Sequence, residues 1–459
     1  MTAKLHVGAA GLLGLALAVA PARGQEADAG VPPEASSLRP KLEFGLEAKA
    51  HYRRSDENRF AVKFPFTPDM LPVGQTQGFE ETVDEGNHFE ISVVTLFADA
   101  TWSDQLVAHA KVNFIDLYER NPTSSADEVN VDELWLRFGH DSQPALLPAG
   151  SGAYVKVGKF PKLERQNDRH LESYGLATTA FNRLEDVGLE VGVDLGRHFY
   201  LKGSLTAGNP VFLRDPNALA GDNGTSNLLR KNPDPVIKSG VVIPYDAAVQ
   251  SLDEDGDLQK GGAVGLRFAS EDGETGLDAL AFGRERKLAK TLDIRGSFYG
   301  GDLDLLDGPA GIDPAKVAFP VTSDRKREVG ADLWLYRGGL SFFGQYVDQD
   351  LGGLGRTGYE GEFAWRFDLP LAASFGGRQL FPSIQPAVRY SKLTPDYKSP
   401  PQSPSPSFAW PWEKWDAGLR VAIVAGVDVT AEYSHNTFTL GSGAKRHNDE
   451  LLATLRWQI

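Results

Sequence analysis

Two runs of basic residues stand out in a chain whose formal net charge is −15. The first holds Lys159, Lys162, Arg165, Arg169 and Arg183. The second holds Arg284, Arg286, Lys287, Lys290 and Arg295, against only Glu285 and Asp293. Planar guanidinium donors match two oxygens of an oxyanion at once. Cations ringed around a narrow, partly dehydrated passage favour anions and repel cations. These ten residues are therefore candidates for an anion-selecting constriction. The alternative is that they are exposed loop charges facing solvent.

Signals for covalent or metal chemistry are absent from the sequence. No Gly-x-Ser-x-Gly elbow, phosphate-binding glycine loop or His-Glu-x-x-His helix occurs, and the nine histidines are scattered. Asp253-Glu254-Asp255-Gly256-Asp257 resembles the start of a calcium loop, but Leu258 and Val264 stand where glycine and glutamate are needed. It reads as a solvated acidic loop. No catalytic residue, metal site or cofactor is expected. The acidic balance argues against nucleic-acid binding, which needs a basic face.

The elements that must position the basic runs are strands. In Lys41–His51 the apolar residues Leu42, Phe44, Leu46, Ala48 and Ala50 alternate with Lys41, Glu43, Gly45, Glu47, Lys49 and His51. Period-two alternation marks a strand with one apolar and one wet face. It recurs around 106–115, 187–194, 359–368 and 451–459. Weaker candidates are 88–102, 129–139, 153–160, 198–207, 260–270, 276–284, 327–337, 340–347, 383–391, 413–424 and 426–437. Together they predict an all-β chain of about 16 strands, with 18 as an alternative count.

The connections alternate strictly. Short ones at 103–105, 140–152, 195–197, 271–275, 338–339, 369–382 and 425 interleave with longer ones. The longer ones are 52–87, 116–128, 161–184, 208–259, 285–326, 348–357, 392–412 and 438–445. A transmembrane, antiparallel up-and-down β-barrel has this parity, with clipped periplasmic turns and extended extracellular loops. A soluble sandwich has no reason to keep it. Trp102, Trp135, Trp334, Trp365, Trp415 and Trp457 are expected at the membrane interfaces.

With apolar faces toward lipid, the wet bore receives Lys41, Lys49, Lys111, Arg137, Lys156, Lys202, Arg267, Arg366, Arg389, Arg420 and Arg456. It also receives Glu43, Glu47, Glu133, Glu190, Asp194, Glu360, Glu362, Asp416, Asp428 and Glu432. The near balance predicts a wall with a transverse field, or paired charges that keep it wet and ordered.

Residues 1–24 read as a secretory signal peptide: Lys4, an apolar stretch from Leu5 to Ala20, then Ala22-Arg23-Gly24. Residues 25–40 read as a flexible lead-in, and 41–459 as the barrel. There is no cysteine, so disulfides do not contribute to stability. The Pro/Ser run at 399–407, followed by Trp410, Pro411 and Trp412, reads as a stiff exposed loop.

The order of strand motifs resembles the phosphate-selective porin family (porins O and P) of Gram-negative bacteria. The matching stretches are Glu133–Phe138, Val155–Phe160, Phe181-Asn182-Arg183, Asp186–Gly192, Gln385–Leu393, Val427–His435 and Asn448–Leu451. The resemblance implies an outer-membrane barrel, a homotrimer, with loops 3 and 5 folded inward, embedded among lipid and lipopolysaccharide. It also implies passive diffusion of small solutes or ions, phosphate or other oxyanions among them, past arginine and lysine. Departures are the Trp457-Gln458-Ile459 ending, the acidic balance and the long 208–259 connection. Two other readings are a barrel with a plugged lumen serving as adhesin or scaffold, and a hydrolase working at the rim.

Overall fold

The computed structural model describes residues 40–55, 59–62, 78–81, 86–116, 129–140, 152–164, 170–182, 185–208, 236–238, 258–287, 325–351, 354–370, 373–396, 411–439 and 443–459. The expected signal peptide, the lead-in up to residue 39, the acidic run 251–257 and the Pro/Ser run lie outside them.

Sixteen antiparallel strands close into one barrel. They are β1 (Lys41–Ser55), β2 (Gly86–Ser103), β3 (Leu106–Asp116), β4 (Asn130–Gly139), β5 (Ala153–Phe160) and β6 (Asp186–Leu195). Next come β7 (Phe199–Thr206), β8 (Gln259–Ala269), β9 (Thr275–Lys287), β10 (Arg325–Arg337) and β11 (Leu340–Leu351). The circuit ends with β12 (Leu354–Trp365), β13 (Ser383–Pro395), β14 (Trp412–Val424), β15 (Val427–Thr439) and β16 (Lys445–Gln458). Each pairs with its sequence neighbour, and β16 returns to β1 in the register Glu47↔Gln458 to Ser55↔Glu450. The backbone of Ile459 completes the seam with Leu46 through bonds of 2.9 and 3.0 Å. Closure leaves no unpaired sheet edge, which a hydrocarbon environment forbids.

The alternation resolves as expected. Phe44, Val155, Val191, Leu201, Phe268, Val388, Leu419 and Leu455 are exposed on the outside, while Glu190, Arg267, Asp278, Glu362, Arg389 and Asp416 are buried within. A water-soluble sandwich would bury the first set. Outward aromatic residues form two bands. Near the short turns lie Trp102, Phe138, Phe199, Phe268, Trp365 and Trp457; toward the long connections lie Tyr346, Tyr359, Trp415 and Tyr433. Tyr359 and Trp365 are six residues apart on one strand, roughly 20 Å of extended chain.

The structure corrects four expectations. Trp135 and Trp334 are not interfacial: they share the inward alternation with Arg137 and Asp332, Trp135 stacking on His109 and Trp334 donating to Ser341. Several strands run further toward the long-loop end than the hydrophobic pattern did, because that end carries polar residues on both faces. The expected 348–357 loop is mostly hairpin, paired out to Leu351↔Leu354, and 445–450 belongs to β16. Lys159 is a strand residue on the outward alternation, between Leu134 and Val187, with Nζ donating to the Val131 carbonyl at 2.8 Å. Finally, the 52–87 and 208–259 connections contribute Arg59–Val62, Gly78–Glu81 and Val236–Lys238 to a small three-stranded sheet.

Candidate functional site

The bore is shaped by the β5–β6 connection, which folds into the lumen and seats on the far wall. Its seat is written into the inward positions of β9–β15. One cross-strand row runs Phe282–Gly330–Val347–Gly358–Leu393–Trp412–Phe438. These apolar residues occupy the alternation that elsewhere carries charge. Leu176, Ala177, Ala180 and Phe181 bury themselves against them. The row needs its glycines: a Cβ at Gly358 would meet the Phe181 ring, and one at Gly330 the Phe282 ring. A second apolar step, Ala364–Ala387–Gly418, receives Leu171.

Between the two steps, wall carboxylates accept from the crossing segment's backbone. Glu432 takes the amides of Glu172 and Ser173 at 2.8 and 3.1 Å, Glu362 that of His170 at 3.0 Å, and Glu360 that of Thr178 at 2.9 Å. Cations bind from the same wall. Arg389 reaches the Ser173 carbonyl (3.1 Å), Asp416 (3.0 Å) and Glu362 (3.2 Å). Lys414 donates to the Tyr174 carbonyl at 2.8 Å. From the same side, Arg420 on β14 and Lys49 on β1 grip Glu172 at 3.0 and 2.9 Å. Burial strengthens such charge-assisted bonds and makes any orphaned member costly.

The near end of the segment is fixed as firmly. Lys162 donates to the Phe181 carbonyl at 2.7 Å, and burial together with nearby Arg284 pushes its pKa down. Arg284 bonds Glu164 at 2.8 Å and pairs with Glu328; Arg286 donates to the Ala207 carbonyl at 2.7 Å. Of the two basic runs, Lys162, Arg284 and Arg286 thus serve as anchors. Lys287 is exposed at the outer end of β9, Lys159 is placed as above, and Arg165, Arg169, Arg183, Lys290 and Arg295 lie outside the described residues. So does the fifth long connection, 288–324.

With the far wall covered, the more exposed inward charges lie on β2–β5, whereas Glu190, Asp194 and Tyr200 on β6 and β7 are buried. Side chains of Arg389, Lys414 and Asp416 are 0–1% exposed, whereas Asp99 is 41%, Lys111 28%, His109 16% and Lys156 14% exposed. Arg137, Lys156 and Lys202 all face inward here. Lys111 pairs with Asp132, and Lys156 with Glu190 at 3.4 Å. Lys156 also lies over the Trp135 ring at 5.1 Å, while Arg267 and Lys202 lie 4.6 and 5.9 Å from the Tyr200 ring centre. Arg456 pairs with Asp428, and Arg366 sits beyond the end of β12, exposed and paired with Asp368 at 3.1 Å. The inward apolar row and its glycines were the missed signal: they interrupt the polar face at register-matched positions on seven strands.

No protein-family model and no curated protein sequence matches the chain. Among solved structures it is similar to the outer membrane channel DcaP of Acinetobacter baumannii: 10% identity, TM-score 0.47, covering 94% of this chain and 100% of that one. It is also similar to OprB of Pseudomonas putida, at 9% identity and TM-score 0.47, covering 93% and 95%. An anion-selective porin from Comamonas acidovorans gives 8%, 0.43, 92% and 100%.

Proposed function

We propose that the chain is a porin-type passive diffusion channel of a Gram-negative outer membrane, passing small hydrophilic solutes with a preference for anions. The observation that carries this reading is the closed barrel with lipid-compatible residues outside, charge inside, and a crossing segment that narrows the lumen while leaving inward charges of β2–β5 exposed. Charged inner walls bordering a constriction set which ions pass.

The anion preference finds support in Lys202 and Arg267, which lie over Tyr200 rather than in ion pairs among the described residues. Lys202 has no carboxylate opposite it in the strand register, facing Gly192 and Ala263, whereas Arg267 stands opposite Asp278. Selection for phosphate or another oxyanion is what the resemblance to the phosphate-selective porins adds to the proposal. We also propose assembly as a homotrimer, for which the outward small-residue cluster Ala98, Ala100, Ala108 and Ala110 gives support.

The test is conductance of refolded protein in a planar bilayer, with reversal potential under a salt gradient. Stable single-channel steps with an anion-signed potential are expected, and Lys202→Gln with Arg267→Gln should move that potential toward zero. A barrel that inserts but never conducts would replace this reading with the scaffold alternative.

A further inference from the structure

The outer surface carries one feature that a uniform lipid belt does not explain. At the short-turn end of β8–β12, two outward cross-strand rows flank a groove. One row is Phe268–Leu277–Leu335–Phe342–Phe363 and the other is Thr275–Arg337–Leu340–Trp365. The groove between them is lined by the first row together with Leu340, and floored by backbone around Gly276 and Ser341. Arg337 stands at its edge, exposed, on the outward face. Among the described residues no carboxylate lies within ion-pair distance of it.

Beside Arg337 is the β8–β9 turn, Ser270-Glu271-Asp272-Gly273-Glu274-Thr275, joined to it by the Gly338 amide bonding the Glu274 carbonyl at 2.7 Å. Asp272 is tied into the turn by Ser270 Oγ and by the Glu274 amide at 3.0 Å, which hold its carboxyl below the usual range. Glu271 and Glu274 are exposed and without a cationic partner among the described residues. The site therefore offers an apolar trough, the Arg337 guanidinium on its lining and two exposed carboxylates in the adjoining turn. A guanidinium fits a phosphate through two parallel donors. An anionic headgroup would meet repulsion from the acidic turn, whereas a zwitterion carrying a primary ammonium meets complementary charge at both ends.

We propose that this groove holds one acyl chain of an ethanolamine phospholipid, with its phosphate on Arg337 and its ammonium facing Glu271 and Glu274. The proposal rests on the membrane placement given above but not on conduction. The test is native mass spectrometry of detergent-purified protein equilibrated with equal amounts of phosphatidylethanolamine and phosphatidylglycerol. Wild type should retain one ethanolamine lipid per chain in preference. Arg337→Gln should weaken retention about tenfold, the effect of losing one charge-assisted bond. Glu271→Gln with Glu274→Gln should keep the lipid and lose the headgroup preference. All three positions are exposed, and heat-modifiable gel mobility checks that each variant still forms a barrel.

Equal retention of the two lipids by wild type, or unchanged retention by Arg337→Gln, would overturn the proposal. So would crosslinks through Phe342 that join two copies of the chain, since the groove would then be an interface. A protein that keeps the lipid yet never conducts would overturn the channel reading alone; one that fails to enter bilayers would remove both.

Discussion

Arg389 shows how much a single inward residue decides. It is 1% exposed and bonds the crossing segment, Asp416 and Glu362 together. Truncating it takes the arginine from two buried carboxylates, leaving Asp416 with Lys414 and Glu362 with His170, a loss of about 3 kcal/mol. Arg389→Ala should therefore lower the urea midpoint of the refolded barrel and make its current noisier, because the segment loses its grip on Ser173. A quiet channel of wild-type stability would contradict that role. The sequence marks Arg389 as a wall cation, since alternation alone assigns its face. It does not mark Arg389 as a clamp, because its partner Ser173 lies 216 residues away, on a connection without periodicity.

At the scale of elements, strand existence, order and face were legible because the side-chain period is two and each apolar face is exposed to one environment. What was not legible follows from where that environment changes. Outer strand ends carry polar residues on both faces, so the pattern fades before the hydrogen bonding does, as at Asp348↔Thr357. Within the basic runs, the roles of buried residues were not legible either. Charge density pointed to Arg284 and Arg286 as a selectivity ring, but burial uses them to fix Glu164 and the Ala207 carbonyl. The apolar row from Phe282 to Phe438 is visible in the sequence once inward positions are known. A prediction belongs to this row: Gly358→Val should force the Phe181 ring off its seat, an overpacking cost of about 1–3 kcal/mol. Thermal unfolding should fall accordingly, with larger single-channel steps if the segment lifts away. Unchanged unfolding would mean that the row does not hold it.

For the molecule as a whole, the outward face from β6 to β16 carries no charge between its two aromatic bands among the described residues. Val388 lies within this belt and is 49% exposed. Val388→Arg should cost about 2–4 kcal/mol in bilayers, as a charge near the lipid midplane does. The same change on the wet face, Ser204→Arg, should be far better tolerated. Equilibrium refolding into lipid vesicles compares the two, and equal costs would mean that the inside and outside of the barrel have been assigned wrongly.

The crossing segment also dictates an order of assembly. Its anchors sit 123 residues upstream at Lys49, and 182 to 260 residues downstream at Glu360 and Glu432. Contacts so distant in the chain are slow to find, since long loops must close before any of them contributes. The seat of the segment exists only once β9–β15, which carry most of its anchors, have paired. Narrowing of the bore is therefore bound to the pairing of late strands and not to the β5–β6 hairpin that carries the segment.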